Sequence, residues 1–283
     1  MTMANTSISV NARNTIPKIP IIILGIWLLI AIFAPWIAPW PQSEMVGTPF
    51  GPLATGDTLL GTDYFGRDLL SRVLYGSRTT LSLALSANVI ASVIGITVGF
   101  LAAYCRGWID EIISRIMDGL FSFPTMMFAL ICVSAFGSSN IILILTVGFI
   151  ESIRVFRVAR AVAMDNLARD YVDLARLRGE STAWILFREV LPNAYPPLLT
   201  DFGVRFSGTV MLLSAISFLG LGVQPPLADW GMMTRENLAG LRTGSLAPLI
   251  PALAIFSVTF ATNQLVDWFL KRTQHDISSE LIG

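Results

Sequence analysis
Apolar residues in this chain come in long runs broken by short clusters of charge, proline and glycine, and run length sets the first expectation. A helix needs about 20 apolar residues to cross roughly 30 Å of hydrocarbon. Residues 19–37 form one such run, followed by Trp36 and Trp40 at the place where an interfacial aromatic belt is expected. The run is longer than a secretory h-region, and Pro35, Pro39 and Pro41 crowd any cleavage point, so it is read as a retained span. Residues 79–105 are uncharged and carry Gly95 and Gly99 one turn apart, a small-residue pair that admits a close helix neighbour. Residues 119–150 are uncharged but too long for one crossing, and Gly137-Ser138-Ser139-Asn140 divides them into two helices. A fifth span opens at Pro196 and Pro197 and ends in Ser217-Phe218-Leu219-Gly220-Leu221-Gly222, and residues 243–266 make the sixth.

The polar stretches between these runs have their own patterns. Residues 1–18 read as a short cytoplasmic tail. Residues 44–78 form a loop punctuated by Gly61, Gly66 and Gly76, with a short helix expected from Arg67 to Tyr75. A charged connector holding Arg106, Asp110, Glu111, Arg115 and Asp118 links the second and third spans. In residues 170–193, Arg169, Asp173, Arg176 and Glu180 share one helical face and Leu167, Tyr171 and Leu174 another. Gly179, Ser181 and Thr182 end that helix and cap a second, which is expected to show Trp184, Phe187 and Leu191 on one face and to stop at Pro192. The result is a helix-turn-helix suited to docking.

Composition turns a pattern of spans into a class. With 54% hydrophobic and 13% charged residues and a mean hydropathy of +0.67, this is an all-α integral membrane protein. Zero net charge offers no basic surface for nucleic acid. With the N-terminus inside, thirteen basic residues fall in or near cytoplasmic segments: Arg13, Lys18, Arg106, Arg115, Arg154, Arg157, Arg160, Arg169, Arg176, Arg178, Arg188, Lys271 and Arg272. Five, namely Arg67, Arg72, Arg78, Arg235 and Arg242, fall outside, so both termini are assigned to the cytoplasm.

Candidate chemistry is sparse. Neither lysine, Lys18 nor Lys271, sits in a Gly-Lys-Ser/Thr loop, so no phosphate-cradling motif is present. The single His275 rules out a multi-histidine metal site, no Gly-x-Ser-x-Gly elbow occurs, and Cys105 and Cys132 read as packing residues. No catalytic site, metal site or cofactor is assigned to the chain. Glu151 with Arg154 in the fourth span, and Asp201 with Arg205 in the fifth, are ionisable pairs inside apolar runs. Glu151, Asp201 and Arg205 are therefore candidates for a translocation path, against the plainer reading of structural ion pairs.

Asp173-Leu174-Ala175, then Gly179 and then Leu191-Pro192 resemble the cytoplasmic coupling loop of permease subunits of bacterial ABC importers. That family has Glu-Ala-Ala where this chain has Asp173-Leu174-Ala175, and an apolar residue is usual at the place of Glu189. Gly61-Thr62-Asp63, Gly66-Arg67-Asp68, Ser71-Arg72 and Tyr75-Gly76 resemble the first external loop of the dipeptide, oligopeptide and nickel branch. The Ser217–Gly222 run, with Gln224-Pro225-Pro226 and Asp229-Trp230-Gly231 after it, is similar to the same branch, although Leu213 stands where a glutamate is common. Within that branch the chain resembles the second of two related permeases.

The resemblance implies a type I importer permease fold of six transmembrane helices in the bacterial inner membrane. Residues 19–270 would be the permease domain, with the coupling loop at about 165–193, external loops at about 44–78 and 220–243, and a second cytoplasmic tail at 271–283. Implied partners are a second homologous permease forming a heterodimer, two ATP-binding subunits that carry ATP and Mg, and an extracytoplasmic solute-binding protein. Tyr171, Asp173, Leu174, Ala175, Arg178, Gly179 and Pro192 would couple to the ATPase, and Asp63, Gly66, Arg67, Asp68, Gln224 and Trp230 would dock the binding protein. Relatives with these motifs import dipeptides, oligopeptides, glutathione, nickel and some sugars or opines. An ion-gradient-driven secondary transporter is the alternative, but neither inverted repeats nor matched broken spans occur in the sequence. A membrane-embedded enzyme would need a reactive constellation, and the chain supplies none.

Overall fold
The computed structural model describes residues 17–53 and 58–280, with side chains described to residue 272. The expected polar tail therefore lies outside the described residues, apart from its end, where Lys18 opens the first helix. The described residues are mainly helical, in keeping with the all-α membrane class read from the sequence. Where six spans were expected, four helices are long and apolar enough to cross a membrane: α1 (Lys18–Ile37), α2 (Leu69–Cys105), the helix over Thr182–Phe218 that ends in α8 (Leu191–Phe218), and α10 (Leu249–Glu280). The bent pair α3 (Gly107–Phe121) and α4 (Thr125–Phe136) makes up to a fifth, and the more polar α5 (Asn140–Leu167) packs among them. Between α5 and α8 lie α6 (Asp170–Leu177), α7 (Thr182–Trp184) and a π-helical segment (Ile185–Val190). The external α9 (Trp230–Glu236) precedes α10.

The most extensive helix pair is α2 against α5, and glycine makes it possible. A Cβ at Gly95 would lie 2.6 Å from Val155 Cβ, and one at Gly99 would lie 2.9 Å from the Phe156 carbonyl oxygen. Gly148 of α5 meets the Ala87 carbonyl in the same way, so the small-residue pair of the second span is one half of a two-sided seam. Gly95→Ala is expected to destabilise the protein by about 1–3 kcal/mol through overpacking. A thermal midpoint in detergent equal to wild type would contradict this.

Around that seam lie three apolar clusters, stacked from outside to inside. The outer one sets Trp230 and Met233 of α9 against Leu69 and Val73 of α2 and Ala254 and Val258 of α10. The middle one joins Leu83 and Ala87 to Leu143, Val147, Val210 and Ile216. The inner one gathers Phe100, Ala159, Ala163, Val172, Ala175, Ile185 and Val190. α1 rides outside this body, with only Pro20 and Ala34 buried, and is tied on by the Trp27 indole, which donates to Ser257 Oγ at 2.8 Å.

Several boundaries differ from the sequence reading. The short helix expected at Arg67–Tyr75 and the second span are one helix of 37 residues, N-capped by Asp68, whose carboxylate accepts from the Ser71 N–H at 2.8 Å. Gly76 does not break it, because the Trp230 indole packs where a Cβ would stand. The charged connector after Cys105 is the amphipathic α3, anchored to α5 by Arg160–Asp110 and Arg157–Asp118. α3 meets α4 at 86°. Pro124 forces the turn, since a residue before proline is driven out of the helical region.

The second loop helix does not stop at Pro192, nor does the fifth span open at Pro196 and Pro197: helix runs unbroken over Thr182–Phe218. The π turns of Ile185–Val190 lie immediately before Pro192, which stands at the start of α8. Wider turns relieve the clash of a proline ring with the preceding carbonyls. The span expected from Thr243 begins instead at Leu249, with Thr243 in a 3₁₀ turn, and α10 continues through Lys271 and Arg272 to Glu280, where a tail was expected.

Candidate functional site
On the cytoplasmic side, α6 projects from the ends of α2, α5 and α8. Asp170 and Asp173 in its first turn and Arg176 in its last complement the helix dipole. Val172 and Ala175 are fully buried in the inner cluster and fix the helix to the body. The buried face is thus Val172 with Ala175, whereas Leu174, grouped with the apolar face by periodicity, is 59% exposed and Leu177 is 84% exposed. The following segment differs in the same sense: Ile185, Leu186 and Val190 are buried, while Phe187 is exposed and Trp184 and Leu191 are only half-buried. An eight-residue helix therefore stands with one side in the core and offers Asp173, Leu174 and Leu177 outward.

The turn after α6 is sharply defined. Gly179 has φ +79°, its N–H donates to the Arg176 carbonyl at 3.0 Å, and the Glu180 N–H donates to the Ala175 carbonyl at 3.2 Å. These two bonds make a Schellman C-cap, in which glycine is the residue without steric cost. Ser181 then N-caps α7 by accepting from the Trp184 N–H at 3.3 Å. Arg178 donates to Glu189 at 3.0 Å and lies over the Trp184 ring, which accounts for a carboxylate at position 189. The Tyr171 hydroxyl donates to Asn166 at 2.9 Å, and burial pushes its phenol above the ordinary range. Pro192 is helical and stands beyond the turn, in the first turn of α8.

Within the membrane, the structure brings Glu151, Asp201 and Arg205 together. Glu151 is 1% exposed and binds Arg154 at 2.8 Å, Arg205 lies 3.9 Å from its other oxygen, and Arg205 binds Asp201 at 3.1 Å. Arg154 also donates to Thr125 Oγ1 at 2.9 Å, so the cluster ties α4, α5 and α8. Two carboxylates face two guanidiniums, which removes the net charge from a site where a lone ion would be costly. Thr125 was not foreseen, since no local pattern links it to Arg154.

Outside, the residues expected to meet a binding protein are mostly buried. Asp63 accepts from Arg67 Nε at 2.7 Å and from Arg72 Nη1 at 2.6 Å, and both arginines also bind Glu236 of α9. Asp63, Arg67, Asp68 and Trp230 are all under 8% exposed, and the Trp230 indole donates to the Val73 carbonyl. Gly66, with φ +76°, stands where a Cβ would strike the Gly47 carbonyl. These groups shape the external surface from beneath; Tyr64, Phe65 and Leu59 are exposed on it, as is Gln224. Among the described residues no group of His, Cys, Asp and Glu is arranged to hold a metal ion.

Residues 95–275 match a family described as "Binding-protein-dependent transport system inner membrane component". The chain is 36% identical over 243 residues to the di/tripeptide transport system permease protein DppC of Pseudomonas aeruginosa, covering 84% of this chain and 80% of that one. It is 35% identical over 243 residues to the glutathione transport system permease protein GsiD of Escherichia coli, covering 85% and 80%. The dipeptide transport system permease protein DppC of Alkalihalophilus pseudofirmus is 29% identical over 257 residues, covering 90% and 84%.

Proposed function
We propose a function from one premise: the chain belongs to the family of binding-protein-dependent transport system inner membrane components. It is a multi-pass permease subunit of an ATP-driven importer in the bacterial inner membrane. In the reading proposed here it pairs with a second, homologous permease, receives its solute from an extracytoplasmic binding protein, and is driven by two ATP-binding subunits that hold ATP and Mg. The solute class is small peptides with a free carboxylate, in line with the di/tripeptide and glutathione systems of its relatives.

The observation that carries this reading is the build of the cytoplasmic loop. α6 is buried on its Val172–Ala175 side and uncovered on its Asp173–Leu174–Leu177 side, and it leads through a tight Gly179 turn into the continuous helix Thr182–Phe218. A partner that grips α6 moves that helix with it. Coupling requires that the loop bind the open and closed ATPase states unequally, since equal affinity shifts no population. Asp173, Leu174 and Leu177 are proposed as the contact, Ala175, Tyr171 and Arg178 as the groups that hold it, and Pro192 as the start of the lever. The external assignment is revised accordingly. Gln224 and the surface around Tyr64 and Phe65 are proposed to meet the binding protein, and Asp63, Gly66, Arg67, Asp68 and Trp230 to support that surface. Glu151, Asp201 and Arg205 are proposed as a structural knot beside the path.

Mass spectrometry of what co-purifies with a tagged copy in mild detergent tests the assembly. One further permease of the same family and one or two P-loop ATPases are expected. Recovery of the chain alone, stable and monodisperse, would overturn the reading and favour a secondary transporter.

A further inference from the structure
The outer part of α2 carries a polar face that this chain does not consume. Tyr75, Arg78, Thr79, Ser82 and Ser86 recur at steps of three and four, so they line one side of the helix. That side borders a cleft of about 390 Å³, closed by Asn140 and Ile144 of α5 together with Gln42 and Leu227. Arg78, Ser82 and Ser86 are exposed in it. Exposed hydroxyls and a guanidinium on a spanning helix are poorly placed against lipid, so this face belongs to water or to the neighbouring permease.

The bonding of these groups separates them further. Thr79 and Ser82 donate to carbonyls of their own helix, at 3.5 and 3.1 Å, and Gln42 accepts from the Ala228 N–H at 2.9 Å. The side chains of Tyr75, Arg78, Ser86 and Asn140 make no hydrogen bond or ion pair among the described residues. Arg78 contrasts with Arg67 and Arg72 in the same external region, which are both neutralised by Asp63 and Glu236. A guanidinium without a partner among the described residues in a cleft of this size, with the Ser86 hydroxyl two turns along the same helix face and the Asn140 side-chain amide on α5, has the chemistry of a carboxylate receptor. Its planar fork accepts two oxygens side by side, and the volume suits a small solute.

Resting on the importer reading above, we propose that this cleft is an outward-facing subsite for the carboxylate end of the solute. Arg78 holds the carboxylate, and Ser86 and Asn140 meet the adjoining polar group. The site opens at the outer ends of α2 and α5, where a solute released by a binding protein enters.

Two measurements on the assembled complex in proteoliposomes test it. In a Cys105→Ala, Cys132→Ala background, Ser82→Cys is treated from outside with anionic and cationic methanethiosulfonates at low salt. Both reagents consume the same thiolate, so their rate ratio reports local charge. With Arg78 present the ratio is expected to favour the anionic reagent by about tenfold. Arg78→Gln should abolish that preference. The second measurement is uptake of alanyl-alanine: Arg78→Gln should lower it by about tenfold or more, the scale of one lost charge-assisted hydrogen bond, and Arg78→Lys should restore part of it. Stimulation of ATP hydrolysis by the loaded binding protein should persist.

A thiol that does not react, a ratio indifferent to Arg78, or normal uptake by Arg78→Gln would each overturn the subsite. Loss of stimulation together with uptake would also overturn it, by placing Arg78 in binding-protein docking. If the wild-type complex fails to import alanyl-alanine, the peptide reading fails, and the labelling ratio still decides the cleft.

Discussion
Gly179→Trp is expected to reduce ATP-dependent uptake to background while the protein remains in the membrane at wild-type amount. Gly179 is the left-handed residue of the α6 cap, so any side chain there costs about 1–2 kcal/mol of backbone strain. Nothing lies within 4 Å of the position a Cβ would take, so the indole projects outward and leaves the inner cluster intact. It would stand beside the exposed surface of Leu174 and Leu177, where it blocks a docking partner. Gly179→Ala separates strain from bulk: it carries the same backbone penalty without the obstruction and should keep a substantial share of uptake. Uptake assays normalised to membrane-embedded protein, with recovery of the ATPase on the tagged variants, would check both. Wild-type uptake by the tryptophan variant would remove α6 from the coupling step.

How far the sequence alone reached depends on whether the deciding contact was local. α6 was legible because its capping, charge order and glycine stop lie within a few residues of one another, and the division at residues 137–140 was legible for the same reason. The continuity of α2 was not, because the group that makes Gly76 tolerable, Trp230, is far away in sequence. Proline misled in both directions. At Pro192 a preceding π-helical segment lets the helix continue, while before Pro124 the amphipathic α3 stands where a connector was read and meets α4 at 86°. Leu174 and Val172 both satisfy helical periodicity, so the sequence left open which of them packs inward. Only the packing of α2, α5 and α8 decides that Val172 goes in. Among the candidate site residues, pairs within one turn, Glu151–Arg154 and Asp201–Arg205, could be read directly, whereas the joining of those two pairs through Arg205 required the fold.

The external loops illustrate the same limit, and they carry the larger stability prediction. Motif resemblance pointed Asp63, Arg67 and Asp68 outward to a binding protein, whereas all three are buried. No sequence signal announced Glu236, and it is Glu236 that closes the knot from α9. Asp63 has no exposed surface and accepts four bonds: Arg67 Nε, Arg72 Nη1, and the N–H groups of Phe65 and Arg67. Arg72 is 1% exposed, and its Nε and Nη2 already lack a hydrogen-bond partner among the described residues, so the cluster there has no reserve of acceptors. Asp63→Ala removes one of two carboxylates facing two guanidiniums and leaves a net buried positive charge. Breaking a buried pair in this way costs about 3–5 kcal/mol. For a chain of this size that corresponds to a fall of roughly 10 °C in thermal midpoint. Glu236→Gln, whose side chain retains an acceptor oxygen and sits at the edge of the knot, should fall by less. Fluorescence-detected size-exclusion melting of the three proteins in detergent gives the ranking directly. Equal midpoints for wild type and Asp63→Ala would mean that the external loops are held by their apolar contacts with Trp230 and Met233 alone.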